Sequence, residues 1–502
     1  MLARKSFLIL LSRLTSQALS FIALLFVWKY LGTDLYGGIV FSMSLVALFN
    51  CISDLGFNTA AIKRISEGAD QDDCVSTFAT IKLGLTGLMV VATLISIVFY
   101  EFVIGKKLTD TNIQLILIFI GYYVFYDLAG IALYTFDAKM ESAKSLAIYL
   151  ADPIVRVPFV ILVAMNRMTV NDLAYTYLLG SMAIFAVAVI LMLRSGIRWK
   201  RPTMYRSFLT FAAPLAFASV FTVAWNYITP VLLGLFGTNI DVSYYSSANT
   251  LMGILSTVGA AVGTITFPLF SKYFTEGRLD QIKLKTYEAE RYIGIIILPL
   301  VLIMVLFPYT VADVIFSPKY HSAGGPLQIL AIIAALGLMN QAYNSHFCAV
   351  NRPDINLKLT VLSLVLNTAL LLIFVPTSIM GIKLLGFTYM GAVYAGLITA
   401  IVIFIATRYI VKELTQTSSN PRILFQLAAI LCTGIILILL SWLYAPTRWY
   451  DLVIFTLLAF GLFIGFLALM KEFTRNDLNY LLEIADAKEM WQYIKTELGG
   501  KG

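Results

Sequence analysis

Stretches of twenty or so residues pass with almost no charge in this sequence, and that run length limits the fold more than any other feature. The segment "GLTGLMVVATLISIVFY" (84–100) is one example. At about 1.5 Å rise per residue, about twenty apolar residues in a helix cross a hydrocarbon core roughly 30 Å thick. Lipid offers no hydrogen bonds, so a spanning segment must satisfy its own peptide groups as a helix or within a closed barrel. The runs here are continuous rather than alternating, which selects helices. Composition agrees. The chain of 502 residues is 60% hydrophobic and 13% charged, with a mean hydropathy of +0.85, where soluble domains carry about a quarter charged residues. The reading is an all-α polytopic membrane protein.

About fourteen transmembrane helices are predicted, near 7–30, 36–60, 77–100, 112–135, 146–165, 172–193, 207–235, 245–270, 292–316, 326–348, 359–376, 388–410, 423–444 and 450–470. The first block is too long for the apolar core of a secretory signal and lacks a small-residue cleavage site after it. The start "MLARKSF" therefore reads as a cytoplasmic N-terminus. With the N-terminus inside, most of the 36 Lys and Arg fall on the inner side, including "RSGIRWKR" (194–201) and the basic segment 271–291. This positive-inside bias predicts a multi-pass protein of the cell membrane with both termini cytoplasmic. It also accounts for the net charge of +8 without nucleic acid. The outer loops are short, "EFVIGKKLTD" (101–110) being among the longest. They leave no room for the acceptor and catalytic groups of a glycosyltransferase or polymerase, so an enzyme is disfavoured. Cys51, Cys74, Cys348 and Cys432 are scattered and there are two histidines, so neither a metal site nor a disulfide framework is expected.

Short motifs recur at nearly one offset. "KRISEG" (63–68) resembles "KYFTEG" (272–277), "LGTDLYG" (31–37) resembles "FGTNIDVSYYS" (236–246), and "FDAKMESAKSL" (136–146) stands where "FCAVNRPDINL" (347–357) stands, at offsets of 209, 205 and 211 residues. Six spans per half give parallel repeats, and transporters built so place their substrate between the halves near mid-membrane. The expected division is a six-helix lobe over 1–206, a second over 207–411, two further spans over 412–471 and a cytoplasmic amphipathic tail over 472–502.

Ionisable groups inside spans cost from about 2.5–3.5 kcal/mol upward at a helix centre, so they face a cavity or a partner. Arg13 lies about two turns into the first span, with Gln17 and Ser20 on the same face. A snorkelling Arg would not need that face to stay polar two turns deeper. Lys82 is similarly shallow, and snorkelling and a functional role are both open for it. Arg156 is central in its span, with Asp152 at i−4 positioned to pair with it. These five residues, Arg13, Gln17, Ser20, Lys82 and Arg156, are read as a cationic wall for an anionic head group, because Arg binds phosphate oxygens with two hydrogen bonds. Asp54, Asp127 and Asp152 are read as charge-balancing or coupling acids. The second half offers amides instead, Asn226, Asn249, Asn340, Asn344 and Asn367, for which interhelical hydrogen bonding is expected. His346, ending its span, reads as an interfacial residue.

The segments "YLGTDLYG" (30–37), "SDLGFNTAAIKR" (53–64), "FAAPLAF" (211–217), "NRPDINLKLTVLSLVLN" (351–367), "VPTSIMGI" (375–382) and "GFTYMGAVYAGLIT" (386–399) resemble the Wzx-like oligosaccharide flippases of the multidrug/oligosaccharidyl-lipid/polysaccharide exporter superfamily. The resemblance covers residues 1–410. It implies a MATE and lipid-II-flippase-like pair of six-helix lobes working by alternating access. The implied substrate is a polyprenyl-linked oligosaccharide on undecaprenyl or dolichyl (pyro)phosphate, and the implied partners are membrane lipids and glycan polymerase or oligosaccharyltransferase machinery. No cofactor is implied beyond a coupling ion, H+ or Na+. Relatives that flip lipid II add two helices for the lipid tail, the place of 412–471 here. Their sodium ligands are acids in the seventh and eleventh helices. This chain departs from that pattern, with Asn226 and Asn367 there and no acid. The competing reading is a cation-coupled multidrug or metabolite antiporter of the same superfamily, which would favour an acidic, aromatic cavity over one with Arg13 and Arg156. A non-transporting scaffold would leave the charges within spans without a purpose.

Overall fold

The computed structural model describes residues 2–473 apart from 69, 105–107 and 380, together with Asp477; side chains are described from residue 15, except at 101–104, 258, 260, 261, 264 and 265. The described chain is helical almost throughout. In order it forms α1 (Leu2–Tyr30), α2 (Thr33–Asp54), α3 (Phe57–Ser66), α4 (Gln71–Ile104), α5 (Asp110–Ala138), α6 (Ser142–Met165), α7 (Val170–Leu193) and α8 (Tyr205–Phe236). The series continues with α9 (Asn239–Thr275), α10 (Leu279–Leu306), α11 (Pro308–Ile315), α12 (Gly324–Ala349), α13 (Pro353–Phe374), α14 (Thr388–Thr415), α15 (Ile423–Leu443) and α16 (Trp449–Leu469). A two-residue hairpin pairs Ser378 and Ile379 with Lys383 and Ile382.

Twelve helical segments among the described residues are long and apolar enough to cross a membrane. The other two predicted spans, 7–30 and 245–270, coincide with α1 and α9, part of whose side chains lie outside the description. The chain is therefore a multi-pass helical membrane protein. Two spans differ from expectation. The one predicted over 36–60 breaks at Leu55 and Gly56, with φ of 39° and 80°. The one predicted over 292–316 starts at Leu279 and breaks at Phe307, ahead of Pro308. Charged residues in 279–291 disguise the first turns of α10 as a loop, because hydropathy alone does not see an amphipathic helix end.

The described residues pack as two units, one of residues up to 234 with 238–240 and the other of 235–237 with 241 onward. In the first, α5 packs against α7, α2, α4 and α3, and α6 packs against α1 and α7. Phe136, Ile148 and Ile184 close the core between α5, α6 and α7. Phe57, Ala60 and Ala61 of α3 meet Phe78 of α4 and Phe208 and Ala212 of α8. Small residues let membrane helices approach closely, where dispersion contacts and not water exclusion hold them. Those contacts tie α8 to the first unit, whereas the sequence division at 206 assigns it to the second lobe. In the second unit α12 packs against α10, α13 and α14. The two further helices, α15 and α16, seat Ala429, Ile430, Phe463 and Leu467 against Ile295 and Leu298 of α10.

Candidate functional site

The break between α2 and α3 builds the first charged site. Where a helix ends, its last carbonyls lose their partners and carry the negative end of the helix dipole. Lys82, eleven residues into α4 and about 16 Å from its start at ~1.5 Å per residue, uses that end. Its Nζ donates to Ser53 O at 3.0 Å and Ser53 Oγ at 3.3 Å, and lies 3.0 Å from Asp127 Oδ1 of α5. Lys82 is 1% exposed, so it does not snorkel, and its three donors face three acceptors. Asp127 is the acid that neutralises it. Asp54 instead accepts the Asn58 backbone N–H at 3.2 Å, capping α3. A cavity of about 30 Å³, room for one water, is lined by Lys82, Asp127, Asn58, Tyr126 and Tyr149. Asp127 Oδ2 and Asn58 Oδ1 accept no hydrogen bond there from the described residues.

The second site is one turn of α6. Arg156 Nε donates to both Asp152 oxygens, at 3.0 and 3.1 Å, and Nη2 donates to Asp152 Oδ2 at 2.9 Å. The i−4 spacing makes this pair local. Nη2 also donates to Ser20 Oγ of α1 at 3.0 Å. The guanidinium lies 4.7 Å from the Tyr177 ring centroid, itself packed on Tyr122 and Phe119. Gly180, one turn after Tyr177 on α7, makes room, since a Cβ there would overlap the Asp152 carboxylate. Arg156 keeps 12% of its side chain exposed. Its Nη1 makes no hydrogen bond with the described residues. The arrangement is a guanidinium fixed on one edge and one face, with a donor nitrogen to spare.

The other residues singled out from sequence separate. Arg13 lies on α1 with its side chain outside the described residues. Gln17 is exposed, and only Ser20 of that stripe meets Arg156. Among the described residues, Asn226 does not bridge helices as expected. It is exposed, and its amide donates to Thr222 O one turn back on α8 at 2.9 Å. Asn249 is exposed and Asn344 half-buried. Asn367 is buried with its Oδ1 accepting no hydrogen bond from the described residues. His346 is buried rather than interfacial, between Thr286 Oγ1 at 2.8 Å and Thr415 Oγ1 at 2.9 Å. The tail over 472–502 lies outside the described residues except Glu472, Phe473 and Asp477; Asp477 accepts from Arg291 Nη2 and from Tyr292 OH.

Among the described residues, Asn340 is the one of these five amides that holds a charge, and that charge went unread in the sequence. Arg408 of α14 donates through Nε to Asn340 Oδ1 at 3.1 Å and through Nη2 to Glu290 Oε1 of α10 at 2.5 Å and to Met339 O at 3.2 Å. Tyr343 OH donates to Glu290 Oε2 at 3.0 Å. Glu290 was hidden in the basic inner segment 271–291, and Arg408 stands two residues before the end of the span read over 388–410.

Three comparisons bear on these features. The family described as polysaccharide biosynthesis protein matches residues 2–274. A probable low-salt glycan biosynthesis flippase of Haloferax volcanii, Agl15, is 23% identical over 376 residues, 74% of this chain and 78% of that protein. The lipopolysaccharide biosynthesis protein WzxC of Escherichia coli is 24% identical over 221 residues, 43% of this chain and 43% of that protein. Among solved structures, the lipid II flippase MurJ in an inward closed conformation matches with a TM-score of 0.73 at 14% identity, covering 92% of this chain and 98% of that one. An inward-facing multidrug resistance MATE transporter matches with a TM-score of 0.61 at 17% identity, covering 80% and 96%. At these identities the two structures speak for the fold.

Proposed function

The chain belongs to the polysaccharide biosynthesis protein family, and we propose that it is a flippase of glycan assembly, not an enzyme. We propose further that its cargo is an oligosaccharide linked to undecaprenyl or dolichyl (pyro)phosphate, moved from the cytoplasmic to the outer leaflet of the cell membrane by alternating access of two halves. The named activity of the relative from Haloferax volcanii supports the first statement. One observation carries the second. Arg156, on a membrane-spanning helix, is held on one edge by Asp152 and Ser20 and presents an Nη1 that makes no hydrogen bond with the described residues. A phosphate oxygen is the partner that geometry suits, because charge-assisted bonds to anions are the strong ones and Arg supplies them in a fixed fork. In low dielectric such a bond is worth more than in water. Arg13, Gln17 and Ser20 would share that wall.

Lys82 takes a different part. Its ammonium is enclosed and fully bonded, so it holds the α2–α3 break in place and leaves head-group contact to Arg156. The carboxylates Asp127 and Asp152 are the groups on which an H+ or Na+ would couple transport. The Lys and Arg bias supports cytoplasmic termini, and glycan polymerase or oligosaccharyltransferase machinery would take the product. The antiporter reading draws on the MATE-like fold. A cationic drug would meet an Arg156 that repels it.

The test is translocation by purified protein in proteoliposomes. A fluorescent polyprenyl-diphosphate oligosaccharide is expected to cross, and a cationic dye in a parallel set is not. Movement of the dye alone would overturn the substrate class.

A further inference from the structure

Arg408 repeats in the second unit what Arg156 does in the first. Each guanidinium has its Nε and Nη2 engaged, with Nη2 on a carboxylate oxygen, Asp152 in one case and Glu290 in the other. Each is steadied by a neutral side-chain oxygen, Ser20 Oγ or Asn340 Oδ1. Each lies over a tyrosine, Tyr177 at 4.7 Å or Tyr343 at 3.4 Å from the ring centroid. In each, Nη1 makes no hydrogen bond with the described residues. Arg408 is 7% exposed and Glu290 0%. Arg408 Nη1 is not fully enclosed, so a further acceptor can reach it.

We propose that Arg408 is a second anion site, for a phosphate-bearing head group, and that Glu290 is the resident anion that fills it at rest. The inference rests on the flippase reading. A phosphate oxygen would bond Nη1 and displace the Glu290 carboxylate from Nη2. Glu290 keeps the Tyr343 hydroxyl, and Asn340 keeps the guanidinium oriented by holding Nε. Asn340 is a positioning residue here. Competition by a buried carboxylate makes the resting site weak, so removing that charge must strengthen anion binding.

The experiment measures binding of geranyl diphosphate, a soluble isoprenoid diphosphate, to the full-length protein in detergent by isothermal titration calorimetry. Wild type is compared with E290Q, with the charge-neutral double variant E290Q/R408Q, and with R156A. The neutral double variant keeps an amide pair in place of the ion pair, so it avoids an unpaired buried charge. E290Q is expected to bind about tenfold tighter than wild type, the scale of one lost buried competitor. The double variant is expected to fall back to the wild-type affinity or below. Equal affinity of wild type, E290Q and the double variant, with binding lost in R156A, overturns this inference and leaves the head-group reading standing. No binding by any of the four overturns both.

Discussion

A charged side chain at the centre of a bilayer costs from about 2.5 kcal/mol upward, and Arg156 offsets that cost with three groups at once. Asp152 neutralises it, Ser20 takes a further N–H, and Tyr177 offers its ring face. Gly180 is the residue that leaves them space, so Gly180→Ala is expected to displace Asp152 and to cost about 1–3 kcal/mol by overpacking, read as a lower melting temperature together with slower glycolipid transport. Lys82 makes the contrasting case. Lys82→Ala leaves Asp127 as an unpaired buried carboxylate, with an expected loss of about 3–5 kcal/mol, while the neutral pair K82Q/D127N is expected to recover most of it in the same thermal assay. Equal stability of K82A and wild type would contradict the pairing. At this scale the sequence was partly legible. The i−4 spacing exposed Asp152 and Arg156, because both lie on one helix face. Whether Asp54 or Asp127 met Lys82 depended on which helices are neighbours, and no local pattern encodes that. Glu290 was missed because the polar start of α10 looks like a loop flank, and Arg408 because it stands near the end of its predicted span, although both helices run on past those points.

Two elements position the first unit's sites. At the α2–α3 break Gly56 has φ of 80°, and a Cβ there would press on Leu215 of α8. Gly56→Ala is expected to lose about 1–2 kcal/mol from the left-handed backbone alone, and to loosen Lys82 with it. A single glycine in an apolar window does not announce a break, so the sequence showed the span and not its interruption. The second element is the connection 194–204, bound along the start of α4. Backbone N–H groups of Arg198, Lys200, Thr203 and Met204 donate to side chains of Asp72, Ser76, Asp73 and Thr77, and Lys200 Nζ donates to Asp70 at 2.7 Å. Asp73→Ala is expected to speed hydrogen exchange of the Thr203 amide by about tenfold or more, as for loss of a local closing contact. The hydrogen bond from Lys200 holds the Asp70 carboxyl below its usual range and raises the Lys200 ammonium in turn. A lowered carboxyl stabilises above its unfolded pKa and stops doing so only as pH falls through the lowered one. Protection of the Asp72 and Asp73 amides, which donate to the Asp70 carboxyl, should therefore persist in mild acid and fade only in strong acid.

At the scale of the molecule, run length alone revealed a multi-pass helical protein, because a lipid-spanning backbone has so few ways to satisfy itself. Family membership and the fold likeness agree with the resemblance carried by short motifs such as "SDLGFNTAAIKR". Substrate chemistry is harder to read from sequence, because it depends on which charges remain unfilled after the helices pack, as Lys82 and Arg156 show. The central claim is that Arg156 binds the phosphate of a lipid-linked oligosaccharide during its crossing. The measurement is the translocation rate of a fluorescent polyprenyl-diphosphate oligosaccharide in proteoliposomes, for wild type, R156K and R156A reconstituted at equal amounts and shown to be folded by their melting curves. The account predicts that R156A loses transport by about a hundredfold, as expected when a charge-assisted contact worth about 3 kcal/mol goes, with R156K in between. Wild-type transport by a folded R156A would contradict it.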